Sequence, residues 1–186
     1  SNAVNVVKAI PDDKEILFLP DMFLGSYVAK ITGRKNMSIW AGECHVHAGI
    51  TPENVKEKLD SLSNAEFLIH PECSCTTPMM YDVANGSYNS NQVQILSTEG
   101  MMNHVKSSKS NEFVVATETG ILYRMKQQNP TKKFIPASEK AECEYMKMIT
   151  LDKVYNSLLN ETTVVTVPKE TADKARLAIE RMLEIS

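Results

Sequence analysis

Glu66-Phe67-Leu68-Ile69 runs straight into His70-Pro71-Glu72-Cys73. A short apolar run meets a turn carrying an imidazole, a carboxylate and a thiol, the pattern of a buried strand that ends in reactive groups. The same junction recurs along the chain. Met37-Ser38-Ile39-Trp40 empties into Ala41-Gly42-Glu43-Cys44, Val93-Gln94-Ile95-Leu96 into Ser97-Thr98, and Glu112-Phe113-Val114-Val115, after Ala116, into Thr117-Glu118-Thr119-Gly120. Helical patterns separate these strands, so the sheets should be parallel with helices on their faces. All four junctions then lie at carboxyl edges, where ligands of such sheets bind, and converge on one crevice.

Outward from these junctions the rhythm continues. Ile16-Leu17-Phe18-Leu19, stopped by Pro20-Asp21, reads as a strand buried on both faces, followed by a helix over 23–31 that ends at Thr32-Gly33. Thr51 and Pro52 open a helix with Val55, Leu59 and Leu62 on one face. Further helices are expected over 99–106, 118–127 (Ile121, Leu122 and Met125 inward) and 144–159, with a strand at 133–135. A strand at 163–167 and a helix over 170–183, burying Ala172, Ala175, Ile179 and Met182, close the chain. Residues 85–91 read as a polar loop.

A chain of 186 residues, 42% hydrophobic and 23% charged, can bury one or two ordinary cores. Twenty basic against twenty-three acidic side chains, with no basic run or aromatic-interleaved stripe, argue against a nucleic-acid partner. No apolar stretch approaches the ~20 residues of a membrane helix, and the start lacks a secretory layout, so the expected compartment is the cytoplasm. Four cysteines (Cys44, Cys73, Cys75, Cys143) are then reduced, and serve as core residues or ligands.

Cys44-His45-Val46-His47 places a thiol and two imidazoles within four residues, all possible metal ligands. A buried cysteine beside half-exposed histidines reads equally well. In His70-Pro71-Glu72 the proline stiffens the turn, so that His70 and Glu72 can be aimed at one substrate as hydrogen-bond donor and proton acceptor. The plainer alternative is a satisfied His–Glu pair. Ser97-Thr98 opens a helix where free N–H groups and hydroxyls suit a carboxylate or phosphate, although Ser and Thr are also ordinary caps. Met101, Met102, Met146 and Met148 read as core filler or helix faces. Cys143 stands at a helix start, where the dipole favours a thiolate.

Together these segments resemble the quinolinate synthase family. The resemblance is carried, in order, by Phe18-Leu19-Pro20-Asp21 with Leu24-Gly25, Thr32-Gly33, Trp40-Ala41-Gly42-Glu43-Cys44-His45-Val46-His47, His70-Pro71-Glu72-Cys73, Leu96-Ser97-Thr98-Glu99-Gly100-Met101, Val115-Ala116-Thr117-Glu118-Thr119-Gly120-Ile121, and Cys143 with Met146. It implies an enzyme of NAD biosynthesis built from three similar α/β/α domains with short parallel sheets in a pseudo-threefold array. Such an enzyme holds a [4Fe–4S] cluster by one cysteine from each domain, with an open iron acting as Lewis acid. It further implies condensation of iminoaspartate with dihydroxyacetone phosphate, losing phosphate and water, and a partner enzyme supplying iminoaspartate. Carried onto this chain, Cys44 and Cys143 are cluster ligands and Cys73 and Cys75 are not. His70, Pro71, Glu72, Ser97 and Thr98 bind substrate; Glu72 transfers protons, and His47 faces the same cavity.

The chain departs from that pattern in two places. The segment supplying the first cluster cysteine is absent, so the chain resembles a C-terminal fragment; Ser1-Asn2-Ala3 reads either as the scar of an expression tag or, with Val4, as a native start, since Ser1-Asn2-Ala3-Val4 resembles a stretch inside the family's middle domain. The interval between Glu72 and Thr98 is lengthened by Cys73-Ser74-Cys75-Thr76-Thr77 and the polar loop. The expected organisation is an incomplete middle domain over 1–41, a complete α/β/α domain over 42–142, and a helix-strand-helix segment over 143–186. Such a fragment should be inactive alone and hold little or no stable cluster. Two rivals stand against this reading. One is a zinc-binding protein or hydrolase using Cys44, His45 or His47 with Cys73 and Cys75 and Glu72 as base; the other is a non-enzymatic module binding an anion at Ser97-Thr98.

Overall fold

The computed structural model describes residues 2–185. The chain opens with α1 (Ala3–Ala9), β1 (Ile16–Phe18), α2 (Met22–Thr32) and β2 (Met37–Ile39). β1 and β2 pair in parallel as a two-stranded sheet. α2 begins where an Asp21 carboxylate oxygen accepts the Leu24 N–H at 2.7 Å. It ends at Gly33, whose φ of 69° is a conformation glycine adopts without a side-chain clash. Val7, Ile16 and Val28 form a small core under Phe18, Leu24 and Met37. Arg34 pins the connection entering β1. Its side chain, 7% exposed, donates to the carbonyls of Ile10 and Lys14, each at 2.8 Å.

Next come α3 (His45–Ala48), α4 (Pro52–Ser61), β3 (Glu66–Ile69), α5 (Thr76–Ala84), β4 (Val93–Ile95), α6 (Thr98–Ser107), β5 (Glu112–Ala116), α7 (Ile121–Gln128) and β6 (Lys133–Pro136). The strands form one parallel sheet in the order β4-β3-β5-β6. Side chains alternate across a strand, so each strand feeds both faces. Phe67, Ile69, Val114 and Ala116 pack with Val55, Leu59 and Met79 of α4 and α5. Leu68, Phe113 and Val115 pack with Met101, Val105 and Met125 of α6 and α7. The result is a three-layer α/β/α arrangement in which Phe67, Leu68 and Ile69 are each at most 1% exposed. Burial on this scale contributes about 2 kcal/mol per large side chain.

The chain ends in α8 (Glu144–Lys147), α9 (Leu151–Asn160) and α10 (Lys169–Ile185). Here and at the start of the chain the structure corrects the expectations. The helix expected over 144–159 is two helices, because Thr150 breaks it: the Thr150 hydroxyl accepts the Lys153 N–H at 3.3 Å and caps α9. Residues 163–167 form no strand, and Val164 and Val165 are 80% and 85% exposed. A strand exists through its neighbour's hydrogen bonds, and this segment has no neighbour strand among the described residues. α10 forms, but Ile179 and Met182 on its expected buried side are 54% and 43% exposed. Its packing is onto α1. Leu17 and Leu19, expected inside, are 66% and 54% exposed, since one face of the two-stranded sheet is uncovered. The interval after Glu72, read as an insertion and a loop, contains the helix α5 with Met79 fully buried. Among the described residues no helix is long and apolar enough to cross a membrane.

One regularity repeats along the chain. Cys44 and Cys143 are each the N-cap of a four-residue helix, α3 and α8. Seven residues after each cysteine a threonine, Thr51 or Thr150, caps a ten-residue helix, α4 or α9. Ahead of each cysteine stands a parallel pair of strands joined by a helix: β1-α2-β2 before Cys44, and β5-α7-β6 before Cys143. The chain therefore carries two copies of one strand-helix-strand-cysteine unit.

Candidate functional site

The thiols of Cys44 and Cys143 are free, half-buried, and packed against the same hydrophobic core. The residues next to them meet: the rings of His45 and Tyr145 make an edge-on contact, with centroids 5.7 Å apart. His47 from α3 and Met146 and Lys147 from α8 line one cavity of about 850 Å³. Each cysteine follows the carboxyl end of a parallel strand, Cys44 after β2 of the two-stranded sheet and Cys143 after β6 of the four-stranded one.

His47 is held at both ring nitrogens. Nδ1 lies 3.1 Å from the Glu72 carboxylate and Nε2 lies 2.9 Å from the Thr117 hydroxyl. A carboxylate only accepts, so Nδ1 carries the proton and, in the neutral ring, Nε2 accepts from Thr117. His70 stacks on His47 with centroids 4.5 Å apart and planes within 9°. Its Nδ1 faces the Glu72 backbone N–H at 3.4 Å as acceptor. Burial, reinforced by the charge of the adjacent His47, pushes His70 down from 6.5 to about 4, so it is neutral at physiological pH. The hydrogen bond from His47 holds the Glu72 carboxyl below its ordinary range, outweighing the opposing effect of burial. Glu72 is thus an ionised carboxylate beside a neutral imidazole. Pro71, half-buried, forms the turn between them.

Thr98, Thr117 and Glu118 also line the cavity, together with Lys106, Arg124 and Lys147. Glu99 is on the same wall and Lys147 is paired with Glu118 at 3.4 Å, so Lys106 and Arg124 are the cations left to face an anionic ligand. Thr98 is the first residue of α6, whereas the Ser97 hydroxyl caps that helix by accepting the Gly100 N–H at 3.2 Å. Cys73 and Cys75 are fully buried core side chains. The Cys73 thiol donates to the Ala116 carbonyl at 3.0 Å, and its hydrogen bond with Cys75, followed by burial, pushes its pKa far up. Both side chains are turned into the core with no exposed surface, which removes two ligands from the zinc alternative.

Sequence reasoning placed Glu118 in a junction at the crevice without giving it a role, and missed Asp21 at the site and Lys106, Arg124 and Lys147 as cavity walls. Asp21 carried a signal, since it is an acid shortly after a strand. The basic residues carried none, because they lie on helix surfaces that only the packing turns inward.

A [4Fe–4S] cluster needs cysteine thiolates, and Cys44 and Cys143 fit as two of its ligands, being unpaired, half-buried and packed against the same core. His47, His70 and Glu72 form a separate group whose donor atoms all lie within 4.8 Å of one another.

A sequence profile of the Quinolinate synthetase A protein family matches residues 1–184. The chain is 49% identical over 185 residues to a quinolinate synthase of Thermus thermophilus, covering all of this chain and 57% of that protein. It is 48% identical over 186 residues to one of Pyrobaculum aerophilum, covering all of this chain and 59% of that protein. A Mycobacterium protein of the same name is 44% identical over 185 residues, again along the whole of this chain and 55% of its own length. The chain thus spans rather more than half the length of the curated relatives it matches.

Proposed function

This chain belongs to the Quinolinate synthetase A protein family, and we propose that it is the C-terminal part of a quinolinate synthase of NAD biosynthesis. The whole enzyme condenses iminoaspartate, delivered by a partner enzyme, with dihydroxyacetone phosphate, releasing phosphate and water. The observation that carries the reading is the placement of Cys44 and Cys143 at equivalent caps whose following helices line one cavity. These thiolates hold two corners of a [4Fe–4S] cluster, and the third cysteine comes from the segment this chain lacks. When bound, the cluster supplies a Lewis acid that polarises a substrate oxygen. Residues 1–41 belong to an incomplete middle domain, 42–142 form a complete one, and the C-terminal segment 143–186 returns to pack on another domain.

The chain's own residues bind and move protons. Lys106 and Arg124, with Thr98 and the α6 start capped by Ser97, attract the phosphate and carboxylates of the substrates. Ionised Glu72 is the proton acceptor, oriented by His47, which Thr117 in turn orients. Neutral His70, stacked on His47, offers a hydrogen bond to substrate without adding a charge.

The test is anaerobic reconstitution of the full-length protein with iron and sulfide, followed by visible absorption and a quinolinate assay, with Cys44 and Cys143 each replaced by Ala. Each substitution is expected to abolish the cluster absorption and turnover, and the 186-residue chain alone is expected to form no quinolinate. Full turnover by the short chain, or a full cluster in either variant, refutes the reading. A second reading, favoured by the donor group of His47, His70 and Glu72, is a divalent-metal site of two imidazoles and a carboxylate. Stoichiometric zinc in the purified chain, lost in His70→Ala but kept in Cys143→Ala, would select it.

A further inference from the structure

Burying a carboxylate is costly unless its oxygens are matched with donors. Among the described residues the buried carboxylates are Asp21, 3% exposed, and Glu118, 8% exposed. They occupy corresponding places in the two copies of the repeated unit, after β1 and after β5. In each copy the residue after the acid donates its N–H to the carbonyl two residues before the cysteine: Met22 to Gly42 and Thr119 to Ala141, both at 2.8 Å. One carboxylate oxygen of each acid then takes an N–H at the start of the following helix. Asp21 accepts from Leu24 at 2.7 Å, and Glu118 from Gly120 at 2.7 Å. The other oxygen receives the backbone N–H of the cysteine itself, Cys44 at 3.3 Å and Cys143 at 3.4 Å.

We infer that Asp21 and Glu118 are positioning residues for the iron cluster, each fixing the backbone from which one ligating thiolate projects. The inference rests on the reading of Cys44 and Cys143 as cluster ligands. Two acids of different length reach the same pair of donor types, Asp at the helix cap and Glu from three residues before Ile121, so the bonding pattern is kept where the residue is not. Space is reserved for it as well. A Cβ on Gly120 would lie 2.7 Å from the Glu118 carboxylate, and one on Gly42 would lie 2.3 Å from the Pro20 carbonyl. The hydrogen bond does not touch iron. It sets the direction of the N-cap backbone, and so of the Sγ, before the cluster arrives. A cluster bound by thiols held in place dissociates more slowly than one bound by thiols on a loose turn.

The experiment uses the full-length holoenzyme and compares Asp21→Asn and Glu118→Gln with the parent. An amide keeps the shape but has one acceptor oxygen for two N–H groups, so the cysteine N–H faces an NH2; in Glu118→Gln the ion pair of Lys147 with the same oxygen, at 3.4 Å, is given up as well. Iron release to a chelator under argon, followed by the decay of cluster absorption, is expected to be about 10-fold to 100-fold faster in each variant. The melting temperature of the apoprotein should stay within about 4 °C of the parent. The electron paramagnetic resonance signal of the reduced cluster should broaden, reporting a less uniform site. Unchanged release in either variant overturns the inference, as does faster release accompanied by an apoprotein melting point lowered beyond that margin. Cys44→Ala and Cys143→Ala run alongside. If they lose the cluster while the amide variants release iron like the parent, the positioning role alone fails; if they keep it, the assignment of the ligands fails.

Discussion

Acidification from pH 7 to pH 5 should cost this chain about 2 kcal/mol of folding stability through His70 alone. The His70 side chain is 13% exposed and lies against the His47 ring, with the Glu72 carboxylate 3.8 Å from its Nδ1. Burial and the His47 charge outweigh the attraction of Glu72, so the folded imidazole titrates at about 4 instead of 6.5. Below 6.5 the unfolded chain takes up a proton that the folded chain refuses. The stability that neutral His70 contributes is therefore intact above 6.5 and drains away as the pH falls toward 4. Glu72, held below its ordinary value, contributes stability that is lost only below about 4.5, outside the window. The measurement is urea unfolding followed by circular dichroism at pH 7 and pH 5, for the parent and His70→Gln. Glutamine cannot titrate but retains an acceptor for the Glu72 N–H. With a slope of about 2 kcal/mol per molar urea, the parent midpoint should fall about 1 M further than the variant's on acidification. Equal falls in both proteins would show that His70 is protonated in the folded state at pH 5, and the burial argument would be wrong.

Three further outcomes follow from named contacts. In the full-length enzyme Glu72→Gln should lower kcat/KM for quinolinate formation about 10²-fold to 10⁴-fold while leaving the melting temperature nearly unchanged, because the amide still accepts from His47. Arg34→Met keeps the aliphatic stem but leaves the carbonyls of Ile10 and Pro11 without their donor, while Lys14 keeps the Asn36 amide, a loss of about 2–3 kcal/mol measurable by urea unfolding. Gly42→Ala drives a methyl group onto the Pro20 carbonyl, so the turn ahead of Cys44 must move; about 1–3 kcal/mol of stability should go, and the iron content of the reconstituted full-length protein should fall with it.

The strands and the helices that flank them were legible wherever residues inside one element decide their burial. β3 is read correctly from Glu66 to Ile69, since three consecutive apolar residues can only serve a sheet covered on both faces. The Thr51 cap of α4 and the Gly33 stop of α2 are local devices and were equally readable. α5 was missed because Thr76-Thr77-Pro78 looks like a turn, and only Met79 filling the core beneath β3 makes the segment a helix. The expected strand at 163–167 failed for the opposite reason: its valines suit a strand, but no strand stands beside them among the described residues.

From the sequence alone came the α/β class, the parallel strands, and the chemistry gathered at their carboxyl ends, because periodicity and turn residues act over a few positions. Only the tertiary structure decided which of those groups meet. It joined His47 to Glu72 and Thr117, paired Asp21 with Cys44 and Glu118 with Cys143, and sent Cys73 and Cys75 into the core. Contacts between residues 23 to 70 positions apart depend on how the sheet orders its strands and which face each helix covers. That order is set by burying apolar area over the whole fold, and no local pattern encodes it.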